Sequence, residues 1–194
     1  MRHKKPVLLI DQDDVLAEYI KGVTLAFNAK YHTSFKSNTC NNWDLTMVFG
    51  DEIKTVMHEP ELFENLEPVK DALSIFERLY RSELFDMYIV TAAQPTCVEA
   101  KSRWIQKHLP FFPLQKFIVC WCKYMIKGDY LLDDGMHNIE DFAKNGGIPV
   151  VYSRPHNINQ CKEYHRVDSW RSFEQFILHQ CYPERLEEYF KNSI

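Results

Sequence analysis

Carboxylates, one hydroxyl and one lysine are the groups of this sequence best placed to do chemistry together. They fall in four runs: Asp11-Gln12-Asp13-Asp14, Thr91-Ala92-Ala93, Lys123 and Asp133-Asp134-Gly135. Each run follows a short apolar stretch, at 7–10, 87–90, 117–121 and 130–132. Acidic residues after strands often serve as helix N-caps. That accounts for one or two carboxylates and not for four, because clustered like charges repel unless a cation lies among them. A donor set made only of oxygen suits a hard dication, Mg2+.

Alternating elements must bring these groups to one rim. Residues 14–31 read as a helix, with Val15, Tyr19, Val23 and Phe27 at i+4 spacing. Pro68 suits a first helical turn, and Val69, Ala72, Leu73, Phe76, Leu79 and Tyr80 keep the helical period behind it. Pro95 opens a further helix with Val98, Ile105 and Leu109 as core positions. A helix at 138–145 stops at Gly146-Gly147. Residues 149–152 form a fifth strand, and 170–191 a polar-faced helical tail. Such alternation predicts an α/β fold, a parallel sheet with helices on both faces, whose function gathers at the carboxyl ends of the strands. The pattern weakens over 33–66, which reads as an insertion.

The 194 residues carry 23 Lys+Arg against 27 Asp+Glu, a net charge of −4. The length fits one domain with an insertion and a core that needs no staples. Mild acidity counts against a broad basic surface for polymeric nucleic acid. No apolar run reaches the length of a membrane span. The basic start, Met1 to Lys5, leads into an apolar run too short for a signal peptide. Six cysteines form no C-x-x-C pair, which points to free thiols in a cytoplasmic setting. Cys120 and Cys122, flanking Trp121, read as strand residues. Neither a P-loop nor G-x-G-x-x-G occurs. Aromatic content of 14% exceeds what a small core requires.

The four runs, V-L-L-I-D-Q-D-D-V, I-V-T-A-A, C-K-Y-M-I-K-G-D and L-L-D-D, resemble the motifs of the haloacid dehalogenase (HAD) phosphatases. The opening D-Q-D-D-V-L-A-E-Y is similar to the D-M-D-G-V-L-A-D-F of the 5'(3')-deoxyribonucleotidases, the cytosolic and mitochondrial pyrimidine nucleotidase group. Similarity continues in N-L-E-P at 65–68, E-A-K-S-R-W-I at 99–105, K-Y-M-I-K-G-D-Y-L-L-D-D at 123–134, and H-N at 156–157 before S-W at 169–170. It is loose between 28 and 60. The resemblance implies a HAD-like Rossmannoid three-layer sandwich, with a core of 1–32 and 67–194 and a small, mainly helical cap at 33–66. It implies an Mg2+-dependent phosphatase for (deoxy)nucleoside 5'(3')-monophosphates that works through an aspartyl-phosphate. A homodimer follows as the family's habit.

By the same resemblance Asp11 is the nucleophile, and Asp13 protonates the leaving oxygen and then activates water. Mg2+ falls to the Asp11 carboxylate, the Asp13 backbone carbonyl and Asp134, with Asp133 behind or trading roles. Thr91 Oγ1 and the Ala92 N–H hold phosphate oxygens. Lys123 neutralises developing charge and orients Asp11; Lys127 is the competing lysine. Lys101 matches a second family lysine near the phosphate, and its helix position equally suits a solvated face. Tyr19 stands where the family stacks the base on a Phe. Trp43 approximates a cap tryptophan, with core packing as the competing reading. His137 and His156 lie near the rim without metal-ligand spacing and read as surface or supporting groups. The chain departs from the family at Asp14 (Gly), Ala92 (Ser), Met57 (a second cap Trp) and Trp121 (an Arg before the lysine). One alternative keeps the core but takes a phosphosugar or other small metabolite, motivated by the loose cap match. Another is a non-enzymatic receiver-like domain, against which Asp13 and the Asp133-Asp134 pair both count.

Overall fold

The computed structural model describes residues 5–160 and 162–191; the first four residues of the basic start and Cys161 lie outside them. Strand β1 (Val7–Ile10) is central, and its Leu8, Leu9 and Ile10 are fully buried. A continuous apolar run of this kind marks a parallel strand covered on both faces. It pairs in parallel with β2 (Asp86–Thr91) on one side and β4 (Tyr130–Asp133) on the other. Beyond them lie β3 (Phe117–Val119), β5 (Ile148–Tyr152) and β6 (His165–Val167). The order is β3-β2-β1-β4-β5-β6, parallel throughout.

The helices are α1 (Tyr19–Tyr31), α2 (Thr46–Phe49), α3 (Pro60–Glu64), α4 (Ala72–Arg81), α5 (Val98–His108), α6 (Met136–Lys144), α7 (Trp170–Cys181) and α8 (Leu186–Lys191). Alternate residues of β1 face opposite layers. Leu8 and Ile10 join Ile75 and Phe76 of α4, Trp104 of α5, and Trp170 and Phe173 of α7. Leu9 packs on the other side with Val90, Leu131 and Phe142 of α6. Each such buried side chain contributes roughly 1.5–3 kcal/mol. The predicted α/β parallel sheet with helices on both faces is present.

A second, smaller core lies apart from the sheet. Ile20, Val23 and Phe27 of α1 meet Cys40, Leu45, Phe49, Ile53 and Val56. The stretch 40–56 therefore packs on one face of α1, whereas Phe63 and Leu66 already belong to the main core.

Several boundaries differ from the sequence reading. Helix α1 begins at Tyr19, not at 14. Asp14 sits at φ 54, the left-handed region, and the chain then doubles back, with Leu16 and Ala17 N–H donating to Gln12 O at 2.9 Å each. Val15, Leu16 and Ala17 are all fully buried, which no single helix face allows. The Asp14 carboxylate accepts the Ile20 N–H at 3.1 Å and so satisfies a donor in the first turn of α1. Pro68 forms a bridge with Ala17 rather than opening a helix, and α4 starts after Asp71, another left-handed residue at φ 61. Helix α6 starts two residues early, at Met136. Strand β3 stops at Val119, so Cys120, Trp121 and Cys122 lie in a loop. The tail splits near Pro183, which lacks the N–H a continuing helix needs. Strand β6 has three residues and carries no alternation from which to read it.

Two buried tryptophans pin the segments around the first strand end. The Trp170 indole donates to Val15 O at 2.8 Å, and the Trp104 indole donates to Leu66 O at 2.8 Å. Each holds a carbonyl that would cost about 1–3 kcal/mol if left unpaired.

Candidate active site

The Asp11 N–H donates to Leu132 O at 2.9 Å, so the ends of β1 and β4 lie side by side. Their carboxylates meet there. Asp11, Asp133 and Asp134 each bring an oxygen within 4.8 Å of the others, and all three are buried. Lys123, 2% exposed, reaches them from the turn after β3. Its Nζ lies 2.5 Å from Asp11 Oδ1 and 2.6 Å from Asp133 Oδ2. Lys127 is exposed, and Lys123 is the lysine that reaches the carboxylates.

The electrostatics are those of an overfilled acidic pocket. Burial, and then repulsion from Asp133, Asp134 and Asp13, push the Asp11 carboxyl up, while Lys123 pulls it down. Burial and Asp133 push Asp134 to about 8. Burial works against the Lys123 ammonium, but Asp11 and Asp133 outweigh it and raise its pKa. One ammonium among three carboxylates leaves negative charge in excess, and the donors are all oxygen. This set fits a hard dication.

The two members of the pair are held differently. Asp133 Oδ1 accepts the Gly135 N–H at 2.8 Å, Oδ2 accepts Lys123, and the Asn138 amide reaches both oxygens at 3.2 Å. Asp134 has one carboxylate contact among the described residues, 3.1 Å from its Oδ2 to His156 Nε2. Burial lowers the His156 pKa, which favours a neutral ring donating from Nε2. Asn157 donates to the Asp134 backbone carbonyl at 2.9 Å and to Tyr152 O at 2.8 Å. Asp133 is thus saturated and Asp134 has an oxygen to spare.

Asp13 faces the same cavity from the turn after β1. Lys101 is 1% exposed and not on a solvated face. Its Nζ donates to Asp13 Oδ2 at 2.5 Å, Thr91 Oγ1 at 2.8 Å and Ala92 O at 2.9 Å. It also sits 4.9 Å from the centre of the Phe63 ring. Asp13 Oδ1 is buried without a partner.

These groups line a cavity of about 260 Å³ together with Tyr19, Trp43, Phe63 and Trp121. Tyr19 stacks on Phe63 at 5.5 Å and 12°, and its hydroxyl donates to Met57 O at 3.0 Å. Trp43 is 51% exposed, so the core-packing reading of it fails. Its ring meets His137 and His156 edge-on at 5.1 and 5.2 Å. A Cβ at Gly135 would lie 3.0 Å from the His137 ring and 3.1 Å from the Trp43 ring, so these side chains pack closely over the glycine. A wider groove of about 550 Å³ along α1 and α3 has no buried charge in its lining and offers no comparable chemistry.

Sequence reasoning missed Phe63, Asn138 and the amide role of Asn157. Phe63 lies where periodicity is weak. Asn157 had a signal in the H-N pair at 156–157, and Asn138 had none.

Parallel strand order and a carboxylate cluster at the strand ends define a hydrolase of the haloacid dehalogenase type. The fold agrees: the Bacillus subtilis protein YfnB, described as a "putative HAD-hydrolase" and solved bound to magnesium, superposes with a TM-score of 0.62 at 12% identity, over 90% of this chain and 99% of that one. A haloacid dehalogenase-like protein from Agrobacterium tumefaciens gives 0.62 at 8% identity, over 91% and 99%. At closer range, residues 5–181 match the model of the "5' nucleotidase, deoxy (Pyrimidine), cytosolic type C protein" family, and the chain belongs to that family. A Staphylococcus aureus protein named "Putative 5'(3')-deoxyribonucleotidase" is 33% identical over 88% of this chain and 94% of its own. The 5'(3')-deoxyribonucleotidase of Bacillus subtilis is 29% identical over 90% and 99%. The chain is accordingly a phosphoric monoester hydrolase, and the receiver-like alternative falls.

Proposed function

We propose that the chain is an Mg2+-dependent phosphatase that converts (deoxy)nucleoside 5'(3')-monophosphates to nucleoside and phosphate through an aspartyl-phosphate on Asp11. One observation supports this most: Asp11 and Asp13 face one cavity, each held by a different buried lysine 2.5 Å away. In this reading one carboxylate serves as the nucleophile and the other as the acid–base group.

In this reading an Asp11 oxygen attacks phosphorus while Lys123 fixes its direction and offsets charge. Asp13 protonates the departing nucleoside oxygen, then takes a proton from the water that cleaves the acyl phosphate. Lys101 holds Asp13 and, with Thr91 Oγ1 and the Ala92 N–H, receives the phosphate oxygens. Asp11, Asp134 and the Asp13 carbonyl would hold Mg2+, which would supply further neutralisation of the phosphoryl charge. Residues 33–66 act as the cap, packed on α1, and place Trp43 and Phe63 over the cavity. Tyr19 grips the base in concert with Phe63. A homodimer, a cytoplasmic location and small nucleotides rather than nucleic acid or membranes complete the reading.

Phosphate release from dUMP, dTMP, UMP, dGMP and nucleoside 3'-monophosphates, with and without Mg2+, tests it. Preference for nucleotides over sugar phosphates, abolished in Asp11→Asn, is expected. Equal or faster turnover of sugar phosphates would transfer the assignment to a small phosphorylated metabolite.

A further inference from the structure

Three of the four aromatic rings at the cavity already have partners. Tyr19 and Phe63 stack on each other, and the far contact of Phe63 is the Lys101 ammonium at 4.9 Å. Trp43 is engaged edge-on by His137 and His156, beside the metal carboxylates. Trp121 is different. It lines the same cavity, is 62% exposed, and among the described residues its ring meets no other ring and its indole N–H has no acceptor. An indole left open to water at the mouth of a site gives up apolar contact that a ligand can restore.

Trp121 and Lys123 line the same cavity. Trp121 precedes by two residues Lys123, whose ammonium touches Asp11. The charges leave the outer cavity to a neutral group. The cationic lysines lining it, Lys101 and Lys123, are both tied to carboxylates at the phosphate end. What remains for the outer part of a substrate is an aromatic wall, suited to a flat heteroaromatic ring.

We infer that Trp121 is a specificity-determining residue that stacks on the nucleobase of the substrate, while Trp43 roofs the metal edge of the site. The inference rests on the nucleotidase reading above. It adds the loop after β3, outside the cap, to Tyr19 and Phe63 as groups that discriminate nucleotides from base-free phosphates.

The test compares kcat/KM for dUMP with that for 2-deoxyribose 5-phosphate in the wild type, Trp121→Ala and Trp121→Phe. A base-stacking aromatic makes the dUMP preference fall about tenfold to a hundredfold in Trp121→Ala. The loss appears in KM for dUMP, and Trp121→Phe restores most of it. A wild-type preference left intact in Trp121→Ala overturns the inference alone, including where the variant changes oligomeric state and so places the indole at a subunit contact. Equal loss for both substrates also overturns it, because the ring would then support the fold and not the base. A wild type without any preference for dUMP overturns the nucleotidase reading and this inference with it.

Discussion

The Lys101 ammonium holds one oxygen of Asp13 at 2.5 Å and leaves the other oxygen of that carboxylate buried and unpaired. The acid–base group is therefore anchored at one end and available at the other. Lys101 lies 88 residues from Asp13 in sequence, on the helix that follows β2, so two strand ends cooperate to orient a single carboxylate.

Replacing that anchor separates orientation from folding. Lys101→Met is expected to lower kcat by about 10²–10⁴-fold, the range for a displaced general acid–base group. Lys101→Arg is expected not to rescue it, because the site is 1% exposed and its three acceptors are arranged around a compact ammonium. Steady-state kinetics on a nucleoside monophosphate, with circular dichroism to verify folding, checks both.

The neighbouring aspartates should respond oppositely to amide substitution. Asp133→Asn removes half the charge that holds Lys123 and disturbs the contacts to Gly135 and Asn138. It is expected to destabilise the metal-free protein by about 2–3 kcal/mol, or roughly 4–12 °C in Tm at 2–4 °C per kcal/mol. Asp134→Asn relieves repulsion where Asp134 is ionised, and is expected to raise the metal-free Tm above pH 8 while abolishing the Tm increase on adding Mg2+. Thermal melts with EDTA or Mg2+ distinguish the two.

Acidity should tune the value of the cation. Asp134 is raised from 3.8 to about 8 by burial and by Asp133. A carboxyl raised in the folded state favours folding fully below its unfolded pKa. That advantage is lost as pH rises from about 4 toward 8, where the folded group must ionise. The metal-free protein is thus expected to lose stability over that window from this group. Mg2+, which competes with the proton, should stabilise more at pH 8 than at pH 5. Urea titrations at the two pH values, with and without Mg2+, measure the difference. A larger Mg2+ effect at pH 5 would contradict it.

Far from the cavity, Glu174 is 3% exposed and receives a two-pronged contact from Arg78, at 2.7 Å on each oxygen. Arg78→Leu leaves that carboxylate buried with, among the described residues, one hydroxyl partner, Tyr189 at 2.8 Å. The expected loss is about 3 kcal/mol, at the lower end for breaking a buried pair because the guanidinium is partly exposed. Activity per folded molecule should not change. Urea unfolding and kinetics on the same preparation check both statements.

The legible part of the molecule was the part fixed by strand ends. Asp11, Thr91, Lys123 and the Asp133-Asp134 pair each follow a short apolar run, and a parallel sheet puts such positions on one rim. Residues 14–18 were not legible. Val15, Tyr19 and Val23 keep a helical spacing, but the left-handed Asp14 and three consecutive buried residues, Val15 to Ala17, break it. Lys101 could be read either way, because helical position alone does not tell which face of α5 meets the sheet rim. Trp43 lies in a bend before α2, and Phe63 in the five-residue α3, too short to show a period. The H-R-V of β6 is too short to differ from a loop.

The small core on α1 also determines what could be exchanged between relatives. Ile20, Val23 and Phe27 are three of its eight buried residues, yet they continue the segment that carries Asp13. A chimera that swaps only 33–66 would leave a mismatched seam beneath the new piece. A graft that carries 19–66 would bring both halves of the seam with it and leave Asp11 and Asp13 in place. Any exchange of this piece between relatives is therefore an exchange of α1 as well.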